Sequence, residues 1–220
     1  MTQLIAADGH RLTAYEVAPE EAGAAVVIVQ EIFGVNGHIR SIVDRYAGFG
    51  YRAIAPALFD RFEPGVELDY DETGIARGRK IAGEIAFEPA MLDVAAAVDH
   101  VRATGQVAVI GYCFGGTVAW LSASRLAVAA AVGYYGGQVH ALVDRTPKVP
   151  TMLHFGERDH AIPLDHVQAV AAAHPDVPVH VYEGAEHGFA CDARSSYHPL
   201  SAAIALGRTL EFLIDHGVAP

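Results

Sequence analysis

Short apolar runs alternate along the chain with segments of helical periodicity. Several runs are apolar at every position, which is typical of strands buried on both faces of a mostly parallel sheet. The runs are Ala24–Val29, Tyr51–Ala55, Val107–Tyr112, Val128–Tyr134, Thr151–Phe155 and Val177–Tyr182. The last run alternates more and contains Pro178, so we expect it near an edge of the sheet.

Between these runs, apolar residues recur every three or four positions, as they do on the buried face of a helix. The predicted helices are Ile39–Phe49, Met91–Val101, Leu164–Ala173 and Ala202–Asp215, and the helix-like segment TVAWLSAS follows Cys113. Residues 1–17 have the pattern of a hairpin whose turn is Asp8-Gly9. Alternating strands and helices predict one three-layer α/β domain over residues 1–220, with helices on both faces of a mostly parallel sheet.

Composition narrows the class of protein. The chain has 220 residues, of which 52% are hydrophobic and 19% charged, and this excludes a disordered or fibrous protein. The net charge of −11 argues against nucleic acid or an anionic membrane as the partner. No secretory signal pattern and no membrane-length apolar run are found, and two cysteines are too few for a disulfide framework. These features predict a cytoplasmic protein.

The sharpest local motif is GYCFGG, residues 111–116, which ends one predicted strand and begins a helix. It places Cys113 where a nucleophile would sit on a tight strand-to-helix turn, and the flanking glycines remove side chains that would clash there. A helix amino terminus favours the thiolate form of cysteine. The alternative is a structural cysteine in a glycine-rich turn.

A nucleophilic cysteine needs a base, and the base needs an orienting carboxylate. The loop GERDH presents Asp159 after one predicted strand, and the loop EGAEHGF presents His187 after the next. We expect these side chains to meet Cys113 at the carboxyl edge of the sheet, in the order nucleophile, acid, histidine. Glu157 and Asp165 remain alternatives for the acid.

Two further features follow the strand Ala24–Val29. The backbone N–H groups of Ile32 and Phe114 are the expected donors of an oxyanion hole. Glu31 stands among apolar neighbours, where a carboxylate needs a partner or a task, although a solvated loop residue is the alternative. Among the twelve histidines no pair has metal-ligand spacing with a third ligand nearby, so no metal site is predicted.

The motifs QEIFGV, GYCFGG, GERDH and EHGF together resemble the dienelactone hydrolase family of α/β-hydrolases, from about Leu4 to Leu213. The resemblance implies an enzyme that hydrolyses a small lactone or carboxylic ester without a metal or organic cofactor. It implies Cys113 as nucleophile, His187 as base and Asp159 as orienting acid. Glu31 would pair with the resting cysteine and take its proton when substrate binds.

The same resemblance implies two substrate-binding residues. Arg61 matches an arginine that binds the substrate carboxylate, and Tyr134 matches a tyrosine of the pocket. In the alternative, Arg61 is a surface partner of Asp60 or Glu63. The chain departs from the family after the histidine: the family has serine and then a second arginine, where this sequence has Gly188 and Cys191, with Arg194 a few residues further on.

Three functions stay open on sequence grounds. The first is a lactone or ester hydrolase acting on a small molecule, as a monomer or small homo-oligomer. The second is a promiscuous esterase or thioesterase with the same triad. The third is a redox sensor in which Cys113 reacts with oxidants or pairs with Cys191, and the ordered acid–base set argues against it.

Overall fold

The structure is a computed structural model that describes residues 1–220, with eight strands and six α-helices. The strands are β1 (Thr2–Ile5), β2 (Arg11–Val17), β3 (Ala24–Val29), β4 (Arg52–Pro56), β5 (Gln106–Tyr112), β6 (Ala130–Tyr134), β7 (Thr151–Gly156) and β8 (Val179–Tyr182). The helices are α1 (Gly37–Gly48), α2 (Glu72–Glu84), α3 (Phe87–Val101), α4 (Phe114–Arg125), α5 (Leu164–Ala173) and α6 (Pro199–Asp215).

All eight strands form one sheet in the order β1-β2-β4-β3-β5-β6-β7-β8. The pairs β1–β2 and β2–β4 are antiparallel, and every other pair is parallel. The predicted hairpin is confirmed, with Gly9 at φ +84° in its turn. The prediction that the run ending at Tyr182 lies near an edge is also confirmed, because β8 is the last strand.

The core lies on both faces of the sheet. All six residues of β3 are buried, and they alternate between two hydrophobic clusters. Val26 and Ile28 belong to the cluster that includes residues of α1 and α6, whereas Val27 and Val29 belong to the cluster that includes residues of α3. This is the three-layer arrangement that the continuous apolar runs predict.

Helix α2 is absent from the sequence-based prediction. Its N-cap is Asp71, whose side chain accepts a hydrogen bond from Gly74 N. Its buried residues are Gly74, Gly78 and Ile81, so two of the three have no side chain. A Cβ on Gly78 would lie 2.1 Å from the carbonyl oxygen of Ile32. The helix therefore packs by its backbone, and hydrophobic periodicity cannot reveal it.

Candidate active site

Cys113 lies between β5 and α4 with φ 55° and ψ −112°. A non-glycine residue with positive φ is strained, and such strain collects at functional sites. The turn is held against the end of β3, because Gly115 N donates to the carbonyl oxygen of Gln30 at 3.0 Å. A Cβ on Gly115 would lie 2.3 Å from Val29 O, so only glycine allows this approach.

The three side chains predicted to form a triad are brought together. Cys113 Sγ lies 3.2 Å from His187 Nε2, and His187 Nδ1 lies 2.8 Å from Asp159 Oδ2. Cys113 follows β5, Asp159 follows β7, and His187 follows β8. The carboxyl ends of parallel strands share one edge of the sheet, which explains how residues 74 positions apart come into contact.

The electrostatics of the triad favour a charged imidazole. Burial opposes the charge on His187, but the negative charge of Cys113 and the hydrogen bond to Asp159 outweigh it and raise the pKa of His187 to about 10. The sulfur of Cys113 therefore faces a charged imidazole at 3.2 Å. A thiolate is the nucleophilic form of cysteine, and an imidazolium can protonate a leaving group.

Asp159 is the carboxylate that orients His187. It is 5% exposed, and its Oδ1 accepts hydrogen bonds from the backbone N–H groups of Ala161 and Ile162 at 2.8 and 3.1 Å. The two alternatives lie elsewhere: Glu157 is exposed and accepts from Gly184 N, and Asp165 is an exposed residue at the start of α5.

The backbone N–H groups of Ile32 and Phe114 are free to bind an oxyanion. Neither donates to another group of the protein, and both residues line the cavity above Cys113. Phe114 N is the first N–H of α4, where the helix dipole adds to the attraction for negative charge. The hydrogen bond from Gly115 to Gln30 holds the two loops side by side.

Glu31 is fully buried, but its partners differ from those implied by the resemblance. Its Oε2 accepts a hydrogen bond from the Tyr70 hydroxyl at 3.1 Å, and its Oε1 lies 3.6 Å from Arg194 Nη1. No hydrogen bond joins it to Cys113, whose thiol faces His187 instead. Burial and the charge of Glu31 raise the pKa of Tyr70 well above its usual value, so the hydroxyl stays a donor.

The cavity at Cys113 has a volume of about 450 Å³ and is lined mostly by apolar side chains. Two guanidinium groups line it, from Arg79 and Arg194, and no carboxylate does. Arg79 is exposed on α2 and makes no ion pair or hydrogen bond. Arg79 could not be predicted as a cavity residue, because the helix that carries it shows no hydrophobic periodicity and the Asp71 N-cap is its local signal.

Arg61 and Tyr134 do not line this cavity. Arg61 donates to both carboxylate oxygens of buried Asp93, at 2.6 and 2.7 Å, and to Asp8 at 2.8 Å. Its guanidinium is thus already occupied, by partners other than the Asp60 and Glu63 considered above. Contrary to the expectation from the resemblance, Arg61 is placed in a structural ion-pair network and not in the cavity at Cys113.

Tyr134 is 1% exposed, and its hydroxyl is hydrogen-bonded to Thr209 at 2.6 Å inside the core. Its neighbour Tyr135, with φ 39°, is the tyrosine that lies beside His187, with ring centroids 5.1 Å apart. The predicted pocket tyrosine is therefore a core residue. Tyr135 follows the last residue of β6 and has a positive φ, so the direction of its ring does not follow from the strand pattern.

Both cysteines are free thiols, and Cys191 is fully buried. Burial and the nearby Glu31 carboxylate raise the pKa of Cys191 to about 12. A thiol that stays protonated is a poor partner for thiol–disulfide exchange, which requires thiolate. This observation weighs against the redox-sensor alternative.

The fold and the nucleophile–histidine–acid geometry define the class of α/β-hydrolases. The family model "Dienelactone hydrolase family" matches residues 12–217, and the chain belongs to that family. It is 37% identical to a carboxymethylenebutenolidase of Pseudomonas putida over 217 residues, covering 94% of this chain and 92% of the relative. It is 30% identical to carboxymethylenebutenolidase 1 of Cupriavidus pinatubonensis, covering 96% and 94% of the two chains.

Among solved structures, a dienelactone hydrolase-like promiscuous phosphotriesterase from metagenomic libraries superposes with a TM-score of 0.77. The match covers 97% of each chain at 20% identity, so it supports the fold alone. Taken with the curated relatives, the family identifies the protein as a hydrolase acting on lactone or ester bonds. No helix is both long and apolar enough to cross a membrane.

Proposed function

We propose that this protein hydrolyses small lactones or carboxylic esters of the carboxymethylenebutenolidase type through an acyl-enzyme on Cys113. The observation that carries the proposal is the 3.2 Å contact between Cys113 Sγ and His187 Nε2 at a strained turn beneath the cavity. The raised pKa of His187 supports an imidazole that is charged before substrate binds and can protonate a leaving group.

In the first step, the thiolate of Cys113 attacks the carbonyl carbon and forms a C–S bond. The carbonyl oxygen becomes an oxyanion that the N–H groups of Ile32 and Phe114 stabilise. When the intermediate collapses, the C–O bond breaks, and His187 gives its proton to the leaving alkoxide. In a lactone both fragments remain one molecule, now bound as a thioester.

In the second step, water attacks the thioester carbonyl while neutral His187 takes the water proton. The C–S bond breaks, the carboxylic acid leaves, and the thiolate–imidazolium pair is restored. Asp159 keeps Nδ1 protonated throughout, because its Oδ2 accepts from that atom at 2.8 Å. Glu31 lies on the loop after β3, next to the loop of Cys113, and its negative charge partly balances the positive charge of Arg194.

The charges at the cavity favour an anionic substrate. Arg79 has no carboxylate partner, and Arg194 has one that is 3.6 Å away, so positive charge is available at the cavity wall. Burial opposes the charge on Arg194, but the negative charges of Glu31 and Cys113 raise its pKa, so it stays protonated. A lactone carrying a carboxylate, such as dienelactone, matches this environment.

The test compares wild type with Cys113→Ala, Cys113→Ser and the control Cys191→Ala. Substrates are cis- and trans-dienelactone, a neutral p-nitrophenyl ester and a thioester, with intact-mass detection of the acyl-enzyme after rapid quenching. We expect turnover and a covalent adduct in wild type and in Cys191→Ala, and neither in Cys113→Ala. Turnover that persists in folded Cys113→Ala would contradict the nucleophile assignment.

Substrate class is read from the same panel. Hydrolysis of dienelactone would support the carboxymethylenebutenolidase type. Hydrolysis of the neutral ester alone would support the acyl-enzyme mechanism but would exclude dienelactone as a substrate. Absence of Cys113-dependent turnover on the whole panel would overturn the proposal.

A further inference from the structure

Three buried side chains with metal-ligating groups meet next to Glu31. Glu31 follows β3, His38 lies in the first turn of α1, and Cys191 lies in the loop beyond His187. Each offers one ligating atom, and these three atoms lie within 4.8 Å of one another. All three residues are at most 6% exposed. Cys191 is far in sequence from Glu31 and His38, and the three show no metal-binding spacing motif. The fold alone therefore brings them together.

Two of these side chains have polar atoms that make no hydrogen bond, although Glu31 Oε1 has an ion-pair contact with Arg194 at 3.6 Å. Glu31 Oε1 and His38 Nε2 are buried and make no hydrogen bond. Leaving a buried polar atom without a hydrogen bond destabilises a protein. A ligand bound by the cluster would satisfy both atoms.

The imidazole of His38 is held by a second contact. Its Nδ1 lies 3.0 Å from Asp192 Oδ1, and a hydrogen bond donated by Nδ1 leaves the lone pair on Nε2. Metal-binding histidines commonly donate their other N–H to a carboxylate, which fixes the tautomer and increases the basicity of the ligand. The side chain of His38 is 1% exposed, while that of Asp192 is 51% exposed.

We propose that Glu31, His38 and Cys191 form a Zn²⁺ site beside the active site. Thiolate, imidazole and carboxylate are the ligand types that zinc takes, and three protein ligands leave a fourth position for water. Binding replaces the thiol proton of Cys191 with a Zn–S bond and releases that proton to solvent. Ligand atoms around tetrahedral zinc are roughly 3.5 Å apart, so the cluster needs to contract by about 1 Å.

A cavity adjoins the cluster at His38, and a charged side chain competes with a metal ion for Glu31. A second cavity of about 440 Å³ is lined by His38 and Tyr70 together with the acidic residues Glu67 and Asp69. Arg194 is the competitor, since its Nη1 lies 3.6 Å from Glu31 Oε1. Zinc on Glu31 would therefore release Arg194 from its carboxylate, which links occupancy of this site to the cavity at Cys113.

The test measures Zn²⁺ binding in a Cys113→Ala background, where Cys191 is the only thiol and the catalytic pair cannot bind metal. Competition with a chromogenic chelator gives stoichiometry and affinity, and Co²⁺ substitution reports a thiolate ligand by its charge-transfer absorption. We expect one Zn²⁺ per chain, with the Co²⁺ band present. This readout does not depend on turnover, so its failure is separable from failure of the proposed function.

Variants in that background identify the ligands. Cys191→Ala should abolish the Co²⁺ band, and His38→Gln should weaken binding at least 100-fold. The milder variant Asp192→Asn, at a half-exposed side chain, should weaken it about 10- to 100-fold without unfolding the protein. His160→Gln, at an exposed histidine, is the control and should leave the affinity unchanged. Absence of stoichiometric binding, or binding unchanged in Cys191→Ala and Asp192→Asn, would overturn the proposal.

Discussion

Arg194 occupies the space that a side chain at Gly188 would fill. A Cβ on Gly188 would lie 2.6 Å from Arg194 Nη1 and 2.8 Å from its Cζ. In this position the guanidinium reaches both the ring face of Phe33, at 5.8 Å, and the carboxylate of Glu31, at 3.6 Å. Gly188 and Arg194 thus form one structural unit.

Gly188→Ala should therefore move Arg194 away from Glu31 and lower kcat/KM for anionic substrates about tenfold, a loss of about 1.4 kcal/mol. Gly184→Ala is the matched control, because Gly184 also has positive φ but a Cβ there would meet nothing within 4 Å. Both variants carry the backbone strain of about 1–2 kcal/mol, but only Gly188→Ala disturbs the arginine. Equal kinetics in the two variants would show that the contact has no catalytic consequence.

Arg79→Ala should raise KM for a carboxylate-bearing lactone about tenfold and leave a neutral p-nitrophenyl ester unaffected. The reason is that Arg79 lines the cavity and has no other charged partner, and a hydrogen bond to a charged group contributes roughly 1.5–3 kcal/mol. Arg77→Ala is the control on the same helix, since Arg77 pairs with exposed Glu63. A similar change in KM for the carboxylate-bearing lactone and the neutral ester would assign Arg79 a structural role.

Asp159→Asn should lower kcat by about 10³- to 10⁴-fold, since the imidazole loses the acceptor that fixes its tautomer. Glu157→Gln, at the neighbouring exposed carboxylate, should retain wild-type kcat. Steady-state kinetics of the two variants separate the acids that the sequence left open. A large loss in Glu157→Gln with little change in Asp159→Asn would reverse the assignment.

The raised pKa of His187 predicts the shape of the pH profile. Its imidazolium, needed to protonate the leaving group, persists at neutral pH and is lost as the pH rises through about 10. We therefore expect kcat/KM to stay high above the ordinary histidine pKa and to decline only near pH 10. An alkaline decline centred near pH 6.5 would mean that the thiolate–imidazolium pair does not form.

Arg61→Ala should destabilise the fold by about 3–5 kcal/mol, because it leaves the buried carboxylate of Asp93 without its partner. Hydrolysis of anionic and neutral substrates should change by the same factor. Arg125→Ala removes an exposed ion pair with Glu88 and should cost at most about 1 kcal/mol. Denaturant unfolding compares the stability of the two variants with that of wild type. A loss of activity confined to anionic substrates would show that Arg61 binds the substrate.

The sheet and the triad could be predicted from the sequence because both rest on local signals. The apolar run Ala24–Val29 and the helix Leu164–Ala173 have the predicted bounds, and the other predicted elements shift by only a few residues. Cys113, Asp159 and His187 each follow a strand, so parallel topology was enough to bring them together. The predicted oxyanion donors Ile32 and Phe114 line the same cavity.

The charged residues that line the cavity could not be predicted in the same way, since their positions depend on packing between distant segments. Two of the three buried residues of helix α2 are glycines, so neither the helix nor Arg79 on it gives a periodic hydrophobic signal. Arg61 would carry the same charge as a substrate ligand or as a structural ion-pair partner. Only its contact with Asp93, 32 residues away, shows that it is a structural partner. The cluster of Glu31, His38 and Cys191 likewise exists only in the folded chain.

The position of β8 has a consequence for how the enzyme would lose activity. This four-residue strand pairs only with β7, Val181 within it is 45% exposed, and the loop it begins carries His187. Short edge elements open at lower free energy than the central sheet. The enzyme should therefore have a thermal inactivation temperature below its unfolding temperature, with fast amide exchange at the edge of the sheet that carries His187.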